Sequence, residues 1–154
     1  MMYRSATVAL AVSIMALACS GDTQSVAGLT GPEKPAAGAR NGILHTQKDC
    51  TNYVGLAGDT CFISQSNLRE ISVGSIIRYM QATNADLTSS TDVILDAGGT
   101  SKAFGHCTVD ARTGTGECVF KGGIGDFRSF SATLAVTPVG GVIGAWDGTY
   151  RFDE

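Results

Sequence analysis

Charged residues are scarce in this sequence, and positive charge is not in excess. Asp, Glu, Lys and Arg make up 16% of the 154 residues, and the formal net charge is −3 at pH 7. Proteins that bind nucleic acid through its phosphates carry a basic surface, so this charge balance excludes nucleic acid as a partner. After residue 18 the sequence also lacks an apolar run of the ~20 residues that a membrane-spanning helix needs.

Proline is scarce as well, with 3 residues, whereas glycine is frequent, with 20. Two of the prolines and five of the glycines fall within residues 19–42, where no hydrophobic periodicity defines a buried face. We therefore predict a flexible tether over 19–42. Residues 43–154 are enough for one domain, and their low charge and many glycines are typical of strands joined by tight turns.

The N-terminus has the parts of a secretory signal. Arg4 precedes an apolar run over residues 6–18, which is too short to span a bilayer of about 30 Å. We predict that residues 1–18 are a signal peptide and are removed. The tetrapeptide ALAC at 16–19 resembles the lipobox of bacterial lipoproteins, which implies an acylated Cys19, although its alanines also suit ordinary secretion.

A membrane is therefore an expected partner through the N-terminal lipid. Ser20 follows the cysteine where an aspartate would signal retention in the inner membrane of many Gram-negative bacteria. The expected location is outside the cytoplasm, in a bacterial cell envelope. An outer-membrane lipoprotein is favoured, and a secreted protein is the alternative.

The five cysteines divide into Cys19, which stands alone beside the predicted cleavage site, and an even set of four. The four form two intervals that each enclose ten residues with turn-forming glycines: Cys50 to Cys61 and Cys107 to Cys118. Among the three connectivities we therefore predict the two disulfides Cys50–Cys61 and Cys107–Cys118. The spacing is longer than in usual zinc sites, so we expect no metal and no cofactor.

Alternation of apolar and polar residues predicts strands over most of the chain after Leu68. The segments are 70–83, 91–96, 102–110, 116–121, 129–136 and 146–152. The first segment is ambiguous because Asn67 and Glu70 imitate a helical capping box. Its β-branched residues and Gly74 favour a strand.

Three motifs follow one another in the C-terminal half: GHCTVD at 105–110, GTGECVFKGGIGDF at 114–127 and WDGTYRF at 146–152. With these motifs the chain resembles the allene oxide cyclase and dirigent barrel superfamily over residues 71–153. It resembles still more the uncharacterised secreted bacterial proteins that share the glycine-rich turn and the aromatic ending. The resemblance implies a closed antiparallel barrel.

The number of strands is open, because only three residues separate Cys118 from the glycine-rich turn, where longer relatives insert two more strands. We expect an all-β fold, a small antiparallel barrel or curled sheet of about six to eight strands. Residues 43–66 can supply the missing edges. The glycines at 122, 123 and 125 predict a hairpin rather than a phosphate-binding loop, because no lysine-serine pair follows.

Candidate catalytic residues are few. His106 is predicted opposite Val119 and diagonal to Glu117, so it can form an imidazole–carboxylate pair or simply lie on the surface. Asp92 and Asp96 would lie about 13 Å apart along one strand, too far for paired acid–base catalysis. Resemblance to the cyclases implies an apolar substrate at the barrel mouth. The polar-tipped candidates for such a cavity are Arg78, Tyr79, His106 and Trp146.

We therefore expect a non-catalytic envelope domain that binds a small apolar ligand or a partner surface. The alternative is a cyclase-like or dirigent-like enzyme that steers ring closure or coupling of an apolar substrate. That alternative requires an interior cavity of about 300 Å³ or more and an ionisable group inside it. The sequence does not determine the oligomeric state.

Overall fold

The computed structural model describes residues 40–153 and shows a closed barrel of eight antiparallel strands. The predicted signal peptide, Cys19 and most of the tether lie outside the described residues. The strands are β1 (Arg40–Asp49), β2 (Thr60–Ser66), β3 (Ile76–Tyr79), β4 (Thr88–Asp96), β5 (Lys102–Asp110), β6 (Thr115–Ile124), β7 (Phe130–Gly140) and β8 (Ile143–Phe152). Each strand pairs with its neighbours in sequence, and the expected all-β barrel is confirmed. No helix of residues 40–153 is long and apolar enough to cross a membrane.

Barrel closure depends on β1, which pairs with β8 over its full length, from Arg40 opposite Phe152 to Asp49 opposite Ile143. The strand begins inside the segment expected to be linker. Arg40 explains this start, because its guanidinium lies 4.3 Å from the centre of the Phe152 ring and donates a 2.9 Å hydrogen bond to Glu70. β1 and β2 thus supply the edges that the resemblance left open.

The strand predicted over 70–83 is much shorter in the structure, where only Ile76–Tyr79 forms β3. Before it the chain turns, with the Ile71 N–H donating to the carbonyl of Leu68. Gly74 has a φ of 89°, a left-handed conformation that interrupts a strand. Apolar and polar residues alternate in the sequence through this turn, but the backbone there is not extended.

Aromatic side chains fill one end of the barrel, which we call the closed end. Phe130 lies at its centre, with ring centroids 5.3 Å from Phe127, 5.1 Å from Phe152 and 6.1 Å from Phe120. All four rings are buried. Burying four aromatic side chains in contact is a large stabilising contribution for a domain of this size.

The glycine-rich turn between β6 and β7 allows this packing and reverses the chain as predicted. The turn includes a single 3₁₀ turn at Gly125–Phe127. A Cβ on Gly123 would collide with the carbonyl oxygen of Lys102 and with the Phe127 side chain. Glycine is required there because the turn backbone lies directly against β5.

Both disulfides join the partners expected from the sequence. Cys50 is joined to Cys61 beside the β1–β2 loop, and Cys107 is joined to Cys118 across β5 and β6. The β5–β6 register also matches the prediction, with His106 opposite Val119. Two disulfides in a domain of this size are typical of proteins that fold in an oxidising compartment.

Candidate functional site

The structure separates the four residues predicted to line a cavity into two pairs. Tyr79 and Trp146 point into the barrel and are 5% and 0% exposed. Arg78 and His106 lie on the outer face, and neither reaches the interior. Strand alternation is the reason, since Arg78 precedes the inward Tyr79 in β3 and His106 precedes the inward Cys107 in β5.

A residue that was not singled out from the sequence, Lys48, lies between the two inward aromatic side chains. Its side chain is 7% exposed, and its Nζ donates a 2.8 Å hydrogen bond to the Tyr79 hydroxyl. The same Nζ lies 4.7 Å from the centre of the Trp146 ring, a cation–π contact when the amine is protonated. The sequence signal that could have identified Lys48 is the alternation in β1, which places Leu44, Thr46 and Lys48 on the buried face.

Burial sets the protonation of this pair. None of the ion pairs among residues 40–153 involves Lys48. Burial without a compensating charge lowers the pKa of the Lys48 ammonium from 10.5 to about 7. Burial also raises the pKa of the Tyr79 hydroxyl above its usual range. Near neutral pH, Lys48 therefore exists both as amine and as ammonium, beside a phenol that keeps its proton.

Lys48 and Tyr79 line a cavity of about 220 Å³ at the end of the barrel opposite the closed end, which we call the mouth. Most of the remaining wall is apolar and comes from Tyr53, Val109, Ala111, Val136, Pro138 and Val142. Ser89 and Thr91 of β4 add hydroxyl groups to the wall. This is an apolar pocket with a few polar groups, the usual composition of a small-molecule site.

The rim of the mouth carries more negative than positive charge. Charged residues at this end include the aspartates Asp49, Asp59, Asp86 and Asp110 and the arginines Arg112 and Arg78, whose guanidinium donates to the Gly58 carbonyl; none of the six lines the cavity itself. Each carboxylate accepts hydrogen bonds from its own loop, which lowers the pKa of each below the usual range. The rim is therefore fully ionised at neutral pH and disfavours the entry of anions.

Two other concavities lie on the surface, with volumes of about 850 and 490 Å³. The larger one crosses β6, β7, β8 and β1. Its exposed residues, such as Lys121, Thr133 and Arg151, alternate with core residues, so it follows the outer face of the sheet. Neither concavity contains a buried ionisable group. The mouth is therefore the candidate site, although it is the smallest of the three.

His106 does form an imidazole–carboxylate pair, but with Asp92 rather than with Glu117. The two residues are directly opposite in the β4–β5 ladder, with 2.9 Å between Nδ1 and Oδ1. Ser90 Oγ lies 3.0 Å from the other ring nitrogen, which completes the order of a Ser-His-Asp triad. All three are exposed, and none of the three concavities described above includes them.

Asp96, the other aspartate considered in β4, forms an ion pair with Lys102 and does not approach Asp92. The sequence estimate of two separate carboxylates on one strand agrees with this placement. Among residues 40–153, no group of three or more His, Cys, Asp or Glu side chains is placed to hold a metal ion.

The fold and the site together define a closed eight-stranded antiparallel barrel with a small apolar mouth that contains a buried lysine. Comparison of the chain with protein-family models, with curated proteins and with solved structures finds no significant match.

Proposed function

We propose that this protein is a non-catalytic binding domain of the bacterial cell envelope that takes a small, uncharged, largely apolar ligand into the mouth of its barrel. The observation that carries the proposal is the cavity itself, an apolar wall with the hydrogen-bonded pair of Lys48 and Tyr79 inside it. The apolar wall supplies affinity, and the polar pair orients the ligand's polar end.

The size of the cavity favours binding over the cyclase-like alternative. Pockets for drug-sized ligands measure about 300 to 1,000 Å³, and the mouth at about 220 Å³ falls below that range. Lys48 meets the other condition of the enzyme hypothesis, an ionisable group in the interior. The volume, however, suits one ring or a short chain rather than a polyene or a pair of coupling phenols.

The cellular location rests on two features of the chain. The two disulfides support an oxidising compartment. The ALAC sequence at 16–19 supports a lipid anchor on Cys19 and, with Ser20, the outer membrane. Mass spectrometry of the mature N-terminus tests this part, and a mature chain that starts with an unmodified residue overturns the anchor.

Fluorescence of Trp146 tests ligand binding, because it is the single tryptophan of the chain and contacts Lys48, which lines the cavity. Benzyl alcohol is a suitable neutral probe, and benzoate is its anionic counterpart. We expect a saturable change with benzyl alcohol and a weaker response to benzoate, since the rim is acidic.

The matched variants are Val136→Phe and Val119→Phe. Val136 lines the cavity, whereas Val119 lies on the outer side of β6. We expect the first to abolish the benzyl alcohol response and the second to preserve it. No saturable response in the unmodified protein, or an equal response in both variants, contradicts binding at the mouth.

A further inference from the structure

The mouth holds a combination that simple binding does not require, a buried amine whose hydrogen-bond acceptor is a neutral phenol. We propose that Lys48 captures small apolar aldehydes as a reversible imine inside the mouth, with Tyr79 transferring the protons. This inference rests on the proposed function and names the chemical class of its ligand.

The geometry places the two reacting groups side by side. Lys48 Nζ and the Tyr79 hydroxyl are 2.8 Å apart, and both residues line the same cavity. A carbonyl group that enters the cavity therefore meets a nucleophile and a proton donor at adjacent positions. Such positioning is what general acid catalysis of addition to a carbonyl requires.

The groups that face Lys48 leave its amine free to react. Nζ contacts Tyr79 of β3 and Trp146 of β8, and the other polar side chains that line the cavity are Tyr53, Ser89 and Thr91, so none of these groups is a carboxylate. Asp49 is adjacent in sequence, but its carboxylate accepts hydrogen bonds from Thr51. The lowered pKa of Lys48 agrees with this environment, and a desolvated lysine is the usual form of an imine-forming residue.

The charge at the rim selects among carbonyl and acidic ligands. Four carboxylates against two guanidinium groups leave the rim net negative and disfavour an anion, so we expect a carboxylate to be a poorer partner for Lys48 than a neutral ligand. A neutral aldehyde passes the rim without this penalty. Its apolar part fits the wall of the cavity.

The chemical step balances without an oxidant or a reductant. The lone pair of neutral Nζ forms a bond to the carbonyl carbon, the carbonyl oxygen takes the proton of the Tyr79 hydroxyl, and Nζ returns a proton to the phenolate. In the second half the hydroxyl group leaves with another proton from Tyr79 as water. The remaining Nζ proton then returns to Tyr79, so amine and aldehyde become imine and water.

Reductive trapping with benzaldehyde and sodium cyanoborohydride tests the proposal on the folded mature chain at about pH 8. Peptide mapping then measures the benzylated fraction of Lys48 against the exposed Lys121 and the half-exposed Lys102. We expect Lys48 to be labelled at least about tenfold faster than either, because burial lowers its pKa to about 7 and leaves most of this amine neutral at about pH 8. Benzyl alcohol should slow labelling of Lys48 and leave Lys121 unchanged.

The variant Tyr79→Phe separates proton transfer from simple access. It retains Lys48 and the cavity, so we expect the final extent of labelling to be kept while the rate at Lys48 falls at least about tenfold. An unchanged rate overturns the role of Tyr79. Labelling of Lys48 at the rate of Lys121 overturns imine capture.

The outcomes distinguish the inference from the function on which it rests. If the unmodified protein binds benzyl alcohol and Lys48 is not labelled, imine capture fails and ligand binding stands. If benzyl alcohol does not bind at all, the proposed function fails. Lys48→Met should lose the label at position 48 and leave the labelling rate of Lys121 unchanged.

Discussion

The two ends of the barrel are built from the same eight strands and differ in what fills them. At the closed end, Phe120, Phe127, Phe130 and Phe152 pack with ring centroids 5.1 to 6.5 Å apart. At the mouth, Lys48 and Tyr79 line a cavity, and Trp146 contacts both Lys48 and the Phe120 ring. One end is a dense apolar core, and the other contains a buried amine that no carboxylate compensates.

The difference indicates a division of work within one small domain. Burying an uncompensated amine lowers stability, because the ammonium loses its hydration. The aromatic cluster at the opposite end offsets that loss. Functional sites commonly carry such destabilising features while the rest of the fold supplies the stability.

The comparison is tested most strongly at the closed end. Phe130→Ala removes the central ring of the cluster and leaves a cavity, so we expect unfolding free energy to fall by about 3 to 5 kcal/mol. Urea denaturation measures the loss, and Phe130→Leu should cost much less. The folded fraction should keep its affinity for benzyl alcohol. A loss of affinity in folded Phe130→Ala would show that the two ends are not independent.

The two disulfides provide a second test of the difference between the two ends of the barrel, because only one of them borders the mouth. Each closes a loop of similar length, so replacing either pair by alanines should lower stability by about 3 kcal/mol. Cys50 and Cys61 line the cavity, whereas Cys107 and Cys118 do not. We expect benzyl alcohol affinity to fall only without Cys50–Cys61, as followed by Trp146 fluorescence. Equal effects of both replacements on affinity would contradict this.

The buried amine predicts a specific pH dependence of stability. In the folded protein the pKa of Lys48 is lowered to about 7, whereas in the unfolded chain this side chain keeps its proton up to about pH 10.5. The unfolded state therefore binds more protons in this window, and unfolding free energy should rise from about pH 7 to 9.5 by up to about 1.4 kcal/mol per pH unit. Below about pH 7 both states are protonated, and this contribution is constant.

Lys48→Met is the control for that pH profile. Without the amine, the rise in unfolding free energy between about pH 7 and 9.5 should disappear. The variant should also be more stable than the original protein at pH 6. Urea denaturation at fixed pH values measures both effects. The window stops below pH 10.0, the pKa of Tyr79 in the unfolded chain. Above that pH the unfolded state loses the Tyr79 proton while the folded state keeps it, so the free energy of unfolding falls. An identical rise in both proteins would assign the effect to other groups.

The smallest effect is expected on the outer face, at the Ser90–His106–Asp92 chain of hydrogen bonds. Replacing His106 by alanine should leave the urea midpoint and benzyl alcohol affinity unchanged, because the side chain is exposed and far from the interior. Hydrolysis of p-nitrophenyl acetate should also be unchanged. A measurable fall in hydrolysis would give this face the catalytic role that its surroundings do not support.

Sequence alone determined the features that depend on contacts close along the chain. The two disulfides, the β5–β6 register and the turn that returns Phe127 to the core follow from short spacings and from the two-residue period of strands. Alternation also located β7 and β8, with strands predicted at 129–136 and 146–152. These features are local because a short loop leaves few ways to pair its ends.

Only the tertiary structure decided three features: the closure of β1 on β8, the short length of β3 and the position of the candidate site at the mouth. Lys48 and Tyr79 are 31 residues apart, and the contact of Lys48 with Trp146 depends on the closure of the barrel. Alternation indicates which side of a strand faces inward, but it does not indicate which inward side chains meet. The lowered pKa of Lys48 arises from its burial among neutral groups, and that environment exists only when distant strands have come together.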